Sequence, residues 1–172
     1  MKKSSGFTLL ELIITVGIIG VVTAIAVPSM RTYVQNDRLT SQINTLVSHL
    51  SYARSEAITQ SVQVSVCASN DATNCSGANN WAIGWIVFAD TDASGTINGT
   101  EVALRVQQTL DGNNTLTSTI GSQVIYDNRG FATTVAGTFS LCDDRGTANI
   151  KAIALSNTGR VRKVQPSENP AC

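Results

Sequence analysis

Gly6-Phe7-Thr8-Leu9-Leu10-Glu11-Leu12 opens a stretch of nineteen uncharged residues, Leu12 to Met30. Lys2 and Lys3 stand just before it. The run is close to the roughly 20 apolar residues that a helix needs to cross a bilayer. One acid, Glu11, sits near its start. A carboxylate at mid-bilayer costs roughly 2.5–3.5 kcal/mol on insertion scales, so the charge calls for a partner. Two simpler readings compete. A secretory signal peptide has the basic start and apolar core, but it should end in small residues and a cleavage point. Here the core runs into Val27-Pro28-Ser29-Met30-Arg31, with Ala24 and Ala26 the only small pair. A plain membrane anchor accounts for neither Glu11 nor the Gly6-Phe7 junction.

Lys2-Lys3-x-x-Gly6 followed by Phe7-Thr8-Leu9-x-Glu11-Leu12 resembles the class III signal of type IV prepilins and type II secretion pseudopilins. The resemblance implies that a prepilin peptidase cuts behind Gly6, on the cytoplasmic side, and that Phe7 becomes the N-methylated amino terminus. It also implies that Glu11 docks the subunit by pairing with the free amine of a neighbour's first residue. Pro28 falls where pilins commonly carry a helix-kinking proline.

Beyond the anchor the helical pattern continues. Leu39, Ile43, Leu46, Leu50, Ala53 and Ala57 are spaced four, three, four, three, four, one stripe of an amphipathic helix, widened by Val47 and Ile58. A helix from about residue 8 to residue 60 is roughly 80 Å long at 1.5 Å per residue. Pro28 removes a hydrogen bond to the Ala24 carbonyl and is expected to bend it, and Gly17 and Gly20 weaken it. After residue 61 the period changes to two and β-branched residues take over. Val62 to Val66, Trp81 to Phe88, Glu101 to Gln107, Gln123 to Tyr126, Thr138 to Cys142, Ala152 to Ser156 and Arg160 to Val164 read as strands between Gly, Asn and Asp clusters. The expected fold is α+β, a long N-terminal helix with a transmembrane first half packed on a β-rich C-terminal head. The expected divisions are a leader at 1–6, a membrane and fibre-core half-helix at 7–30, an amphipathic half-helix at 31–60 and the head at 61–172.

Twelve Lys and Arg balance twelve Asp and Glu, but the sum hides a split. Residues 61–128 hold one basic residue, Arg105, against six acids; residues 129–163 hold six (Arg129, Arg145, Lys151, Arg160, Arg162, Lys163) against Asp143 and Asp144. The split reads either as two regions with different partners or as two solvated faces of one domain. Four cysteines allow three pairings. Cys67–Cys75 and Cys142–Cys172 are favoured, since the first closes a short loop and the second ties down a terminus that would otherwise fray. Everything after the anchor should lie outside the cytoplasm, where disulfides persist.

Tyr52-Ala53-Arg54-Ser55-Glu56-Ala57, then Val64-Ser65-Val66-Cys67-Ala68-Ser69, then Gly84-Trp85-Ile86-Val87-Phe88-Ala89-Asp90, and finally Thr158-Gly159-Arg160-Val161-Arg162 appear in that order. The order resembles the GspH/FimT group of minor pilins and pseudopilins, which includes the FimU-type proteins. The resemblance implies a subunit held in the inner membrane with its head in the periplasm, later built into a fibre with other major and minor pilins or pseudopilins. The favoured placement is the type IV pilus, as a minor pilin in an initiating or capping tip complex; the alternative is a minor pseudopilin of the type II secretion system.

No catalytic set stands out. The lone His49 has no second histidine to join it in a nucleophile pair, and no phosphate loop occurs. An enzyme is not expected, and no cofactor other than calcium is suggested. Asp90-Thr91-Asp92-Ala93-Ser94-Gly95-Thr96-Ile97-Asn98-Gly99-Thr100-Glu101 resembles a calcium loop, with oxygen side chains at Asp90, Asp92, Ser94, Asn98 and Glu101 and glycine sixth. The competing reading is a hairpin loop built of turn residues. Gly159-Arg160-Val161-Arg162-Lys163 resembles the DNA-binding motif of FimT-type minor pilins that support natural transformation. That resemblance implies phosphate capture by Arg160, Arg162 and Lys163. The competing reading is a terminal strand whose arginines face solvent or pair with Asp143 and Asp144.

Overall fold

The computed structural model describes residues 6–164 and Cys172. Of the expected leader, residues 1–5 lie outside the described residues. Helix α1 spans Leu9–Gln60 and continues through Pro28. Thr8 caps it: the Thr8 Oγ1 accepts from the Glu11 backbone N–H at 3.2 Å, and the Thr8 carbonyl takes the first helical bond from Leu12. A side-chain oxygen at this position satisfies one of the donors that every helix start leaves open. Ser61, in the left-handed region at φ 56°, ends the helix.

The chain divides into two compact units, Met1–Asp37 and Arg38–Cys172. In the second, the six buried helix residues are Leu39, Ile43, Leu46, Leu50, Ala53 and Ala57, the stripe that the spacing marks. Each large apolar side chain removed from water there contributes roughly 1.5–3 kcal/mol. The stripe packs on eight strands: β1 (Gln63–Ala68), β2 (Trp85–Asp90), β3 (Ala103–Gln107), β4 (Thr115–Ser118), β5 (Gln123–Tyr126), β6 (Gly137–Cys142), β7 (Lys151–Leu155) and β8 (Val161–Lys163). They form two four-stranded antiparallel sheets, ordered β3-β2-β1-β5 and β4-β6-β7-β8.

Alternation decides which side chains meet the helix. Val64, Val66, Trp85, Val87, Val124 and Tyr126 of the first sheet join Leu116, Phe139, Leu141, Ile153 and Leu155 of the second in one core. A smaller cluster, Cys67, Ile86 and Phe88, lies on the other face of the first sheet, covered by Ala72, Cys75, Ile97 and Ala103. Disulfides join Cys67 to Cys75 and Cys142 to Cys172. Two elements differ from the sequence reading. Trp81–Ile83 is a 3-10 turn rather than the start of a strand. The Asn80 side chain caps it by accepting from the Ala82 N–H, and Gly84 breaks the run at φ 113°, where a Cβ would lie 2.4 Å from the Gln107 carbonyl oxygen. The short strand β4, Thr115-Leu116-Thr117-Ser118, was not anticipated, because one apolar residue among hydroxyls carries little of the alternating signal.

Candidate functional site

Three sets of residues carry the functional possibilities. The first is the start of α1. Its most apolar eighteen-residue window has a mean hydropathy of 2.5 and is 0% buried within the molecule. Leu9, Leu10, Leu12, Ile13, Ile14, Val16, Ile18 and Ile19 are all exposed. Polar groups along this stretch are closed internally: the Thr15 hydroxyl donates to the Leu12 carbonyl at 2.8 Å and the Thr23 hydroxyl to Ile19 at 2.8 Å. That is the condition for a helix in hydrocarbon, where an open backbone or hydroxyl group is costly. Gly6 and Phe7 precede the helix, exposed, and Glu11 lies exposed in its first turn. The role of Thr8 in holding that turn was legible in the spacing Thr8-x-x-Glu11, a helix-start signature, and was missed.

The second set is the loop after β2. The Asp90, Asp92 and Glu101 carboxylates bring ligand oxygens within 4.8 Å of one another. Asp90 is 0% exposed, and its carboxylate accepts from Gln63 Nε2 at 2.9 Å, Ser65 Oγ at 3.0 Å, and the Ser94 and Gly95 N–H groups at 2.9 Å. Asn98 Nδ2 donates to Asp92 at 3.0 Å and to Ser94 Oγ at 2.9 Å, and Ser94 Oγ donates to the Thr96 carbonyl at 3.0 Å. Glu101 accepts from the Thr91 N–H at 2.7 Å. Hydrogen bonds from Asn98 and Ser94 hold the Asp92 carboxyl below its ordinary pKa. Gly95 takes φ 76° to turn the loop, and Ile97 plugs it onto the smaller apolar cluster. The Asp90, Asp92 and Glu101 oxygens therefore converge, and Asn98 turns its amide nitrogen to Asp92 and Ser94. Carboxylate oxygens are those a hard cation would take, and each carboxylate is also held by donors of the head itself.

The third set is the basic end. Among the described residues, Arg129 pairs with Asp127 at 2.8 Å and Arg145 with Asp143 at 2.5 Å. Burial pushes the Asp143 carboxyl up, but hydrogen bonds and charge from Arg145 outweigh it and hold the group below its ordinary pKa. Arg160 and Arg162 are exposed, and Lys163 falls on the opposite side of the strand from Arg162. The turn that carries Arg160 rests on the helix side of the head. Arg54 Nε donates to the Gly130 carbonyl at 3.0 Å, and a Cβ on Gly159 would lie 2.2 Å from that same oxygen. His49 is tied to the core of the head. Its Nδ1 accepts from Trp85 Nε1 at 3.0 Å, and burial, with the Arg105 charge, lowers its pKa.

Comparison with known proteins gives one consistent grouping. The family profile described as type II transport protein GspH matches residues 42–159, and a prokaryotic N-terminal methylation motif matches residues 1–27. A fimbrial protein of Pseudomonas aeruginosa is 30% identical over 136 residues, covering 79% of this chain and 80% of that protein. Among solved structures, the type IV minor pilin FimU of Pseudomonas aeruginosa superposes with a TM-score of 0.63 at 24% identity, over 80% of this chain and 96% of that one. The minor pseudopilin EpsH from the type 2 secretion system of Vibrio cholerae gives 0.53 at 15% identity, over 75% and 98%. The fold is thus that of type IV pilins.

Proposed function

Because this chain belongs to the GspH family of minor pilins and pseudopilins, we propose that it is a minor pilin of the type IV pilus, acting in assembly or initiation at the fibre tip. The 30% identical fimbrial relative carries this reading over the secretion alternative. Residues 1–6 are the leader, removed by a prepilin peptidase between Gly6 and Phe7, and Phe7 is then N-methylated. Residues 7–30 sit first in the inner membrane and then in the fibre core, residues 31–60 join them to the head, and residues 61–172 form the head, on the periplasmic side before assembly. Glu11 docks to the amine of a neighbouring subunit, and Pro28 bends the helix for packing. The exposed apolar surface of the first unit and the exposed position of Glu11 in the first helical turn support this division. The role is structural, not enzymatic.

Deleting the gene and scoring piliation, secretion and transformation separately tests the reading. Loss of pili is the expected result. Loss of secretion with pili retained would assign the protein to the type II system instead. Within the same protein, Glu11→Val should still insert in the membrane but lose co-isolation with partner pilins by about tenfold, the scale of one ion pair in a low-dielectric setting. Undiminished co-isolation would remove Glu11 from docking.

DNA capture for natural transformation is the finer role proposed for the basic strand, with Arg160 and Arg162 meeting phosphates and Lys163 adding charge. The two exposed guanidinium groups, Arg162 on β8 and Arg160 just before it, favour it. Affinity should fall with salt by roughly 0.9 log units per phosphate neutralised. Calcium in the loop after β2, held by Asp90, Asp92, Ser94, Asn98 and Glu101, is a second proposal, favoured by the convergence of the Asp90, Asp92 and Glu101 oxygens. Asp92→Asn with Glu101→Gln should abolish heat and thermal shift on calcium titration. A wild-type chain that gives neither would end the idea.

A further inference from the structure

Three Asn-x-Ser/Thr triplets lie in the head: Asn74-Cys75-Ser76, Asn98-Gly99-Thr100 and Asn113-Asn114-Thr115. The triplet is the acceptor pattern for an N-linked glycan, which needs a free asparagine amide on an open surface. The structure separates the three. The Asn74 amide donates to the Asp71 carboxylate and to Thr73 Oγ1, both at 3.0 Å, inside the loop that the Cys67–Cys75 disulfide closes. The Asn98 amide donates to Asp92 at 3.0 Å and to Ser94 Oγ at 2.9 Å. Asn113 and Thr115 are exposed, and among the described residues neither the Asn113 amide nor the Thr115 hydroxyl has a hydrogen-bond partner. Gln42 of α1 pins this turn from both sides. Its Nε2 donates to the Asp111 carbonyl at 2.9 Å, and its Oε1 accepts from Asn114 Nδ2 at 2.6 Å. Between the two pins the chain takes positive φ, 84° at Gly112 and 58° at Asn113, a conformation that asparagine tolerates in turns. Thr115 opens β4 and alternates with Leu116 of the core, which leaves its hydroxyl on the solvent side.

We propose that Asn113 is an N-glycosylation site. The donor is an oligosaccharide carried on a polyprenyl diphosphate, and the catalyst is a membrane-bound oligosaccharyltransferase. Asn113 Nδ2 forms a bond to the anomeric carbon of the first sugar. The bond from that carbon to the diphosphate oxygen breaks, and polyprenyl diphosphate leaves with the electron pair. The amide gives up one proton to a base of the transferase. The Thr115 hydroxyl is the group that the transferase reads. Asp111 adds an exposed carboxylate two residues ahead of the acceptor, where Asn74 and Asn98 have Ala72 and Thr96. The product is a head with a bulky hydrated chain at the turn before β4. The proposal rests on the placement of the head outside the cytoplasm given above, the side on which disulfides persist.

Mass spectrometry of the full chain, extracted in detergent from the cells that make it, tests this. The tryptic peptide from Val106 to Arg129 should carry a glycan, with the sugar-bearing fragments placed at Asn113, while Asn74 and Asn98 should be bare. Asn113→Gly accepts the left-handed turn and should lose the glycan. Thr115→Val should lose it too and serves if the first variant fails to fold, whereas Thr115→Ser should keep it. A bare Asn113 in a chain whose Cys67 and Cys75 are disulfide-bonded would overturn the proposal and leave the placement of the head standing. A bare Asn113 with both cysteines reduced would overturn the placement and the proposal together. Sugar on Asn74 or Asn98 with Asn113 bare would overturn the choice of site. Sugar that persists in Asn113→Gly and maps to Thr115 would assign an O-linked chain and overturn the proposal.

Discussion

Gly159 shows how one residue of a motif can serve the fold rather than a ligand. At φ 75°, its missing Cβ leaves room for the Gly130 carbonyl oxygen, Arg54 Nε and Tyr126 Cε1. Gly159→Ala should therefore destabilise the head by roughly 1–3 kcal/mol, combining left-handed strain with a backbone clash, as read by urea unfolding. An unchanged midpoint would contradict the packing. Asp90 divides in the same way from its loop. It is buried on Ser65 and Gln63, so Asp90→Ala should cost roughly 2–3 kcal/mol with calcium absent. Asp92 and Glu101 are the residues on which a metal test should turn. In the sequence His49 stood out only as a lone histidine; that its Nδ1 receives the Trp85 indole depends on a contact 36 residues away. Its folded pKa is lowered from 6.5 by burial and by Arg105, so the unfolded chain binds more protons. Stability should fall as pH drops through 6.5 toward the lower folded value, and His49→Gln should flatten that slope in thermal unfolding.

Elements whose signal is periodic could be read from the chain, and those held by single contacts could not. The helix stripe from Leu39 to Ala57 is buried as spaced, because one continuous apolar face must find the sheets. The run Trp81 to Phe88 is apolar throughout, which does not separate strand from turn. The Asn80 cap and the close approach at Gly84 make its first part a 3-10 turn. Strand β4 exists through its pairing with β6, a tertiary fact. Cysteine number left three pairings open, and the fold brings Cys142 at the end of β6 to Cys172 with a separation of 30. Replacing both by serine should cost about 3–4 kcal/mol, by the loop-closure estimate. Urea unfolding of Cys142→Ser with Cys172→Ser checks this, and a loss under about 1 kcal/mol would show that the tie contributes little.

For the whole chain, the two ends of the sequence differed in what they disclosed. The amino terminus carries its meaning in a short linear motif, so the helix start, the apolar run and Glu11 could be read directly. The candidate sites of the head are made by register and loop closure. The acidic loop spelled out its own oxygens, whereas the setting of Arg162 beside Ala154 and Thr138 needs three strands side by side. Composition could show that positive charge gathers late in the chain, but not that Asp127 and Asp143 each bind one of its arginines. Neither could it show that Arg162 stands beside Ala154 on one face of the sheet while Lys163 stands beside Ile153 on the other. The central claim is that the chain is matured behind Gly6 and built into a fibre with other pilins. Mass spectrometry of fibres sheared from cells tests it most directly. The account predicts this chain in the fibre fraction, beginning at N-methylated Phe7. A chain found only in the inner membrane, with its leader intact, would contradict it.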